Sequence, residues 1–496
     1  DIAQLMYHCA VSVDMDFGPD GSGAWGWGNN DVSNALKDHF YYNSGADDIT
    51  RSSYSTTWVD KMKENLDLNR PVIYGARDNQ EDAGHAWILD AYTTGDMFHC
   101  NWGWYGNFNG FYSIDDFSVD GYTFDVWEHA CVKIRPKTAS VNGTWDLAGS
   151  PYHIFYNHVV DPGNQLIIEP GVEVFFEGRY KLEVQGRLEA VGTPTDTIFF
   201  NVSDPAIGSR GIRFIDLNNQ TADSSKLAYC RIDNGYGNYL EVMGLGSTYG
   251  GGIFCKNSST VLLEHNRIYG GSAGYGGGIA CMEGSDIPIR HCIIENCQAV
   301  MGGGLYLNES SPMLSCNVFR DNEAYSNGGG VYCNYNSPAH FYRDTICNNS
   351  SLYGGGIGVS SSDALFEETV IHNNEVVHLG GGMYVTESGV HLNKSKIYSN
   401  SATTGGGGAI YCHSNSDMIV ERSLIYCNNA DTSSALYIIG SYPSLFHTTV
   451  AHNLASPGKQ VIQIAWGGID IENSILWNNG TGRIDTAGNS VVSAQY

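Results

Sequence analysis

The sequence predicts two folds in series: an α+β segment over residues 1–136, then an all-β parallel β-helix over 151–496 built of coils of about 26 residues, with 137–150 as linker or cap. Three observations carry this prediction. Helical and strand periodicities alternate before Pro136. Beyond about Ser140 only short alternating strands remain, broken by Pro-Gly and Gly. Within that second region a glycine triplet returns at a fixed interval, as a stacked solenoid requires.

In the first segment, "NNDVSNALKDHFYY" and "YSTTWVDKMKENLDLN" place apolar residues at helical spacing behind polar starts. "RPVIYGAR", "GHAWILDAY", "MFHCNWGW", "GFYSID" and "HACVKIRP" read as short strands separated by turn residues, so the segment closes in an antiparallel sheet. In the second, Gly-Gly-Gly begins at 250, 276, 302, 328, 354, 380 and 406. An apolar residue follows in six cases: Ile253, Ile279, Leu305, Val331, Ile357 and Met383. Asn296, Asn322, Asn348, Asn374 and Asn400 keep the same 26-residue step, which predicts a column of amides bonded from coil to coil. Residues 150–496 make about 13 coils, a rod on the order of 60 Å at roughly 4.8 Å per strand.

Cys255, Cys281, Cys333 and Cys412 alternate with Leu307, Val359, Val385 and Ile438 two residues after each post-corner position, an inward slot in which cysteine acts as a small hydrophobe. "HCIIENC" (His291, Cys292, Cys297) has no equivalent in other coils, so no metal site is assigned and no cofactor is expected.

Formal net charge is -27, with 21 acidic and 8 basic residues up to Pro136 and the remainder spread beyond it. An acidic surface throughout disfavours nucleic acid and anionic membranes as partners. No run of about 18 apolar residues offers a membrane span. The composition suits a secreted or cell-surface protein. The chain starts at Asp1 and stops at "SVVSAQY", as expected of a piece of a longer protein, so the lack of a leader carries no weight.

The chemistry-bearing stretch is "DAGHAWILDAYTTGDMFHCNWGWYG". His85 at a strand start and Asn101 a hairpin later form a base-and-orienter pattern, with Trp102 or Trp104 covering the bond between them. A histidine beside aromatic core residues would look the same. "VSVDMDFGPDGSGAW", "GHAWILDAY" and "HCNWGWYGNFNGFYSID" resemble, in order and spacing, the second half of the streptopain family of papain-like cysteine peptidases. That resemblance implies a papain-like half-domain in which His85 is the base and Asn101 and Trp102 orient and shield it. Gly21, Ser22, Gly23 and Ala24, with Trp104, would contact a protein or peptide substrate.

The family's nucleophile sits in a Gly-Cys motif upstream of these residues, and its oxyanion donor also lies upstream. Cys9, the one cysteine before His85, has flanks unlike that motif, so the chain by itself is expected to be inactive. Asp78, Glu81 and Asp82 precede the base, either as selectors of basic side chains or as a solvated turn. The "GGGI" corners resemble right-handed β-helix repeats of secreted and surface proteins, which implies a right-handed solenoid and says little about its task. A stalk or targeting domain on a secreted endopeptidase, a carbohydrate-active enzyme and an adhesin with a cell-surface or glycan ligand stay open. For the enzymatic reading, Glu295 and Asp321 are expected to stack one coil apart.

Overall fold

The computed structural model describes all residues except 1–15, 19–20, 24–30, 41, 44, 68–69, 79, 81–82, 135–137, 220–223, 234–247, 456–458, 480–483 and 496. The chain divides into two compact units, Asp1–Thr138 and Ala139–Tyr496.

In the first unit, β1 (Asp16–Gly18) and β2 (Gly21–Gly23) form an antiparallel ribbon. Two helices follow, α1 (Asp31–Asp38) and α2 (Trp58–Asp67), with β3 (Asp47–Thr50) between them. The remaining strands are β4 (Val72–Asp78), β5 (Gly84–Tyr92), β6 (Met97–Asn101), β7 (Gly110–Ser113), β8 (Ser118–Val119) and β9 (Tyr122–Val132). The sheet runs β3-β9-β4-β5-β6-β7, so each strand expected from the sequence is present. The "HACVKIRP" strand is the end of the longer β9, whose first half begins at Tyr122.

Strand parity sets the core. Val72, Tyr74 and Ala76 of β4 pair across with Leu89, Trp87 and His85 of β5, and Cys100 of β6 pairs with Leu89. All except His85 are buried, so this is the inner face, closed by Trp58 and Met62 of α2. The Trp58 indole donates to the Tyr74 hydroxyl (2.9 Å), which donates to Glu128 (2.7 Å), and Arg51 donates to both oxygens of Glu128. This chain of bonds supplies partners to polar groups that burial would otherwise penalise.

The second unit is a parallel β-helix with two 14-stranded sheets, one of 13 strands and one of eight. Thr138–Ser140 and Gly143–Trp145, inside the stretch expected as linker or cap, already head the two longest sheets. Ile253, Ile279, Leu305, Val331, Ile357, Met383 and Ile410 stand in register and are fully buried. The cysteine slot is equally buried at Cys255, Cys281 and Cys333. Cys292 and Cys297 are also buried while His291 is exposed, so the structure does not bring that trio together.

The glycine corners are steric necessities. Gly276 has φ +66°, and a Cβ there would lie 2.2 Å from the Ile279 carbonyl oxygen. A Cβ on Gly277 would meet the Gln298 carbonyl of the next coil at 2.4 Å. The corner after Gly380 is Gly407 rather than Gly406, because the fourth glycine of that run adds a residue.

Three columns of short polar side chains satisfy backbone N–H groups at the corners. Ser285, Ser310, Ser337, Ser362, Ser388, Ser416 and Ser441 each accept from the amide of the serine one coil earlier, beginning with Ser258. The amide column runs Asn322, Asn349, Asn374, Asn400, Asn428, Asn453, Asn479. Each Oδ1 accepts from the preceding coil's backbone N–H at 2.9–3.0 Å. Asn296 and Asn348 are not rungs: both have positive φ one residue before the rung position, which Cys297 and Asn349 occupy. Coil length varies by a residue or two, so a strict 26-residue step misses the register by one place in either direction. The same drift corrects the expected stack of Glu295 on Asp321; Glu295 pairs in register with Arg320.

The third column contains Asn266, Asn317, Asp344, Ser395, Ser423, Thr448 and Ser474. Asp344 is fully buried; its Oδ1 accepts from Asn317 N (2.7 Å) and Nδ2 (2.9 Å), while Oδ2 has no partner among the described residues. Burial pushes this carboxyl up to about 7, against the two Asn317 bonds. The folded chain therefore holds a proton there that the unfolded chain has lost. The resulting penalty is absent below about pH 4, grows as pH rises, and is complete above about pH 7.

Asp344→Asn should remove it, since an amide nitrogen can donate to the Leu314 carbonyl as Asn317 Nδ2 donates to Ile289. Denaturant unfolding should find the variant more stable by up to about 4 kcal/mol at pH 8 and nearly equal to the parent at pH 4. A variant less stable at pH 8 would contradict this account of the column.

Candidate active site

His85 lies near the start of β5, one turn of the pleat before Trp87, on the same face as Trp87 and Leu89. Its Nε2 is 2.9 Å from the Trp102 carbonyl oxygen. A carbonyl can only accept, so Nε2 carries the hydrogen and Nδ1 keeps its lone pair. The Trp104 ring stacks on the imidazole at 4.5 Å between centroids, and the rings of Phe124 and Trp102 lie at 5.9 Å and 6.0 Å. Burial among these rings lowers the pKa of His85 below the usual 6.5, partly offset by the bond to Trp102. A neutral imidazole with a free Nδ1 is equipped to accept a proton near neutral pH.

Asn101 does not hold the ring. It pairs with Ile88 across β5 and β6, and Ile88 lies on the face opposite His85 and Trp87. Side chains directly opposite each other in a ladder share a face, so Asn101 points away from the imidazole. Its Oδ1 accepts from the Gly103 amide at 3.1 Å instead, an Asx turn that starts the loop after β6. Asn109 Oδ1 completes the loop by accepting from the Trp102 amide (3.1 Å). The two asparagines thus fix the loop whose Trp102 carbonyl and Trp104 ring hold His85.

Gly21, Ser22 and Gly23 belong to the ribbon strand β2, paired with Gly18, Phe17 and Asp16. Ala24 lies outside the described residues, as do Cys9, Glu81 and Asp82. Asp78 is buried and its Oδ1 accepts from the Gln80 amide. The described cysteines of this unit, Cys100 and Cys131, are buried; burial pushes the Cys100 thiol up to about 12 and raises that of Cys131 as well. Neither is a thiolate at neutral pH. Phe124 and the Trp102 carbonyl were missed by sequence reasoning. Phe124 could have been found by extending the β9 strand back through "YTFDVW", whereas a main-chain carbonyl leaves no side-chain signal.

The Peptidase C10 family model matches residues 1–112, and the model of the right-handed β-helix region matches 191–346 and 330–495. The chain belongs to the right-handed β-helix family and carries a peptidase C10 segment ahead of it. Streptopain of Streptococcus pyogenes is 33% identical over 143 residues, 27% of this chain and 35% of that protein. A thiol protease/hemagglutinin of Porphyromonas gingivalis is 36% identical over 110 residues, 22% of this chain and 12% of the relative. Among solved structures, the active wild-type interpain A cysteine protease of Prevotella intermedia is 33% identical. That alignment has a TM-score of 0.24 and covers 26% of this chain and 54% of that one. The C10 segment therefore spans about a third of the streptopain chains it matches.

Burial of the imidazole, rather than a side-chain partner, sets its titration. In a histidine NMR titration His85 should have its midpoint below 6.5, and Trp104→Ala should raise it by opening the ring to water. Asn101→Ala should cost about 1 kcal/mol of stability through the lost turn bond yet move the midpoint less than Trp104→Ala does. A larger shift from Asn101→Ala would put the amide back at the ring.

Proposed function

We propose that this chain is part of a secreted or cell-surface cysteine endopeptidase, with the β-helix serving as its stalk, targeting or binding domain. The supporting observation is the carbonyl-held, ring-stacked His85, its pKa lowered by burial, inside a segment that matches the Peptidase C10 family. In this reading Nδ1 takes the thiol proton of a cysteine supplied upstream of the segment. The thiolate attacks the peptide carbonyl to give an acyl-enzyme, and the imidazolium returns the proton to the leaving amine. Trp102 holds the tautomer, Trp104 keeps water from the bond, and Asn101 acts by fixing the loop that carries both. By the family resemblance, Gly21, Ser22, Gly23 and Ala24 would contact a protein or peptide substrate.

A hydrolytic β-helix with Glu295 in its site is disfavoured by the position of that residue. Glu295 is buried, and each oxygen is bonded to an arginine, one to Arg267 and the other to Arg320. It has no second carboxylate stacked on it to complete an acid-base pair.

The test assays this chain and a version extended upstream through a Gly-Cys motif against a general protein substrate. The extended chain should hydrolyse it, His85→Ala should reduce kcat/KM by about 10²–10⁴-fold, and the chain as given should be inactive. Hydrolysis by the chain as given that survives Cys9→Ala would overturn the assignment.

A further inference from the structure

The loop between β6 and β7 places four residues in the left-handed region: Gly103 (φ +75°), Tyr105 (φ +54°), Gly106 (φ +85°) and Phe108 (φ +63°). Glycine adopts this backbone freely, whereas a bulky side chain does so at a cost. The Asn107 amide donates to the Trp104 carbonyl at 2.9 Å, so Tyr105 and Gly106 are the central pair of a tight turn. Two positive φ values there are the pattern that asparagine and glycine usually fill. Phe108 is fixed from behind, its carbonyl accepting from the Tyr112 hydroxyl at 2.5 Å.

Packing does not account for these two aromatic residues. Tyr105 is fully exposed, at 105% of its reference area, and Phe108 is 48% exposed. Strain beneath a ring that stands in water adds nothing to the core, and strain of this kind persists where a site needs it. The position of the loop indicates which site. The Phe108 ring meets Trp104 edge to face at 6.1 Å, and Trp104 stacks on His85 at 4.5 Å. A run of aromatic rings therefore starts at the candidate base and leads outward to Phe108, with Tyr105 on the turn between.

We propose that Tyr105 and Phe108 select substrates with a large apolar side chain among the first three residues after the scissile bond. The inference rests on the peptidase reading. In acyl transfer the acyl half stays on the thiol, while the departing amine takes its proton from the imidazole. The leaving half of the substrate therefore begins at His85. An extended peptide advances about 3.3 Å per residue, so its second or third residue reaches the ring beyond Trp104. Aromatic side chains on a shaped loop offer large contact area at small conformational cost, and an apolar partner would remove both rings from water.

The test titrates the full chain with two peptides, glycyl-phenylalanyl-phenylalanine amide and glycyl-seryl-serine amide, each with a free amino end like a departing product. Binding is followed through the His85 imidazole signals. The phenylalanine peptide should bind at least about 10-fold more tightly and move those signals. Tyr105→Gly/Phe108→Asn, two replacements that tolerate left-handed backbone, should reduce the preference to under about 2-fold. Tyr105→Gly alone should weaken binding of the phenylalanine peptide yet melt no lower than the parent, because it removes strain rather than packing. The proposal is overturned if the two peptides bind alike, if the double variant keeps the parent's preference, or if the phenylalanine peptide binds without moving the His85 signals. This readout needs no nucleophile, so its failure is distinct from an absence of hydrolysis by the upstream-extended chain, which would overturn the peptidase reading itself.

Discussion

Backbone polar groups that leave a sheet ladder inside protein must be bonded to something, and that requirement organises this molecule. Each coil of the β-helix turns corners where N–H groups have no strand partner, and the next coil supplies one from a serine, threonine or asparagine. The asparagine rungs go further, because each Nδ2 also bonds to the next rung and to a carbonyl about one coil back, as Asn374 does to Asn400 and Ile346. A coil is therefore completed only by its neighbour, which makes stacking and corner chemistry one constraint. Asp344 is the informative irregularity, since a carboxylate in a column of donors and acceptors has one oxygen too many unless it keeps a proton.

The same accounting operates at His85. The Trp102 carbonyl lies past the end of β6, beyond the last ladder bond, and the imidazole Nε2–H fills that need. The bond fixes the tautomer, and the tautomer decides which nitrogen is basic. Asn101, Asn109 and the left-handed turn residues Gly103 and Tyr105 act upstream of this by shaping the loop that presents the carbonyl and the Trp104 ring. Local turn chemistry thus reaches the candidate base through one main-chain atom.

Much of the fold was legible because its signals are local and repeated. Glycine corners and the Ile/Leu/Val/Cys slots follow from two periodicities, 26 along the chain and two along a strand. The rungs were legible only in part. Asn322, Asn374 and Asn400 fall on the strict period, whereas Asn349 and Cys297 fall one residue after it, because coil length is adjusted in exposed turns that leave no mark on the buried pattern. The serine column escaped notice for the same reason, its steps wandering around 26. At the site, residue types pointed to His85 and the tryptophans, but the face on which Asn101 emerges depends on the register between β5 and β6, which includes an irregularity between Leu89 and Ala91. That register is a property of the paired strands.

The tautomer of His85 decides which nitrogen can act as the base, and the nitrogen chemical shifts of the imidazole report it. In ¹⁵N-labelled protein at pH 8, long-range proton–nitrogen correlation should give His85 a protonated Nε2 and an unprotonated Nδ1. The opposite assignment, hydrogen on Nδ1 with a bare Nε2, would mean that the Trp102 carbonyl does not hold the ring, and the proposed route from loop geometry to a catalytic base would fail.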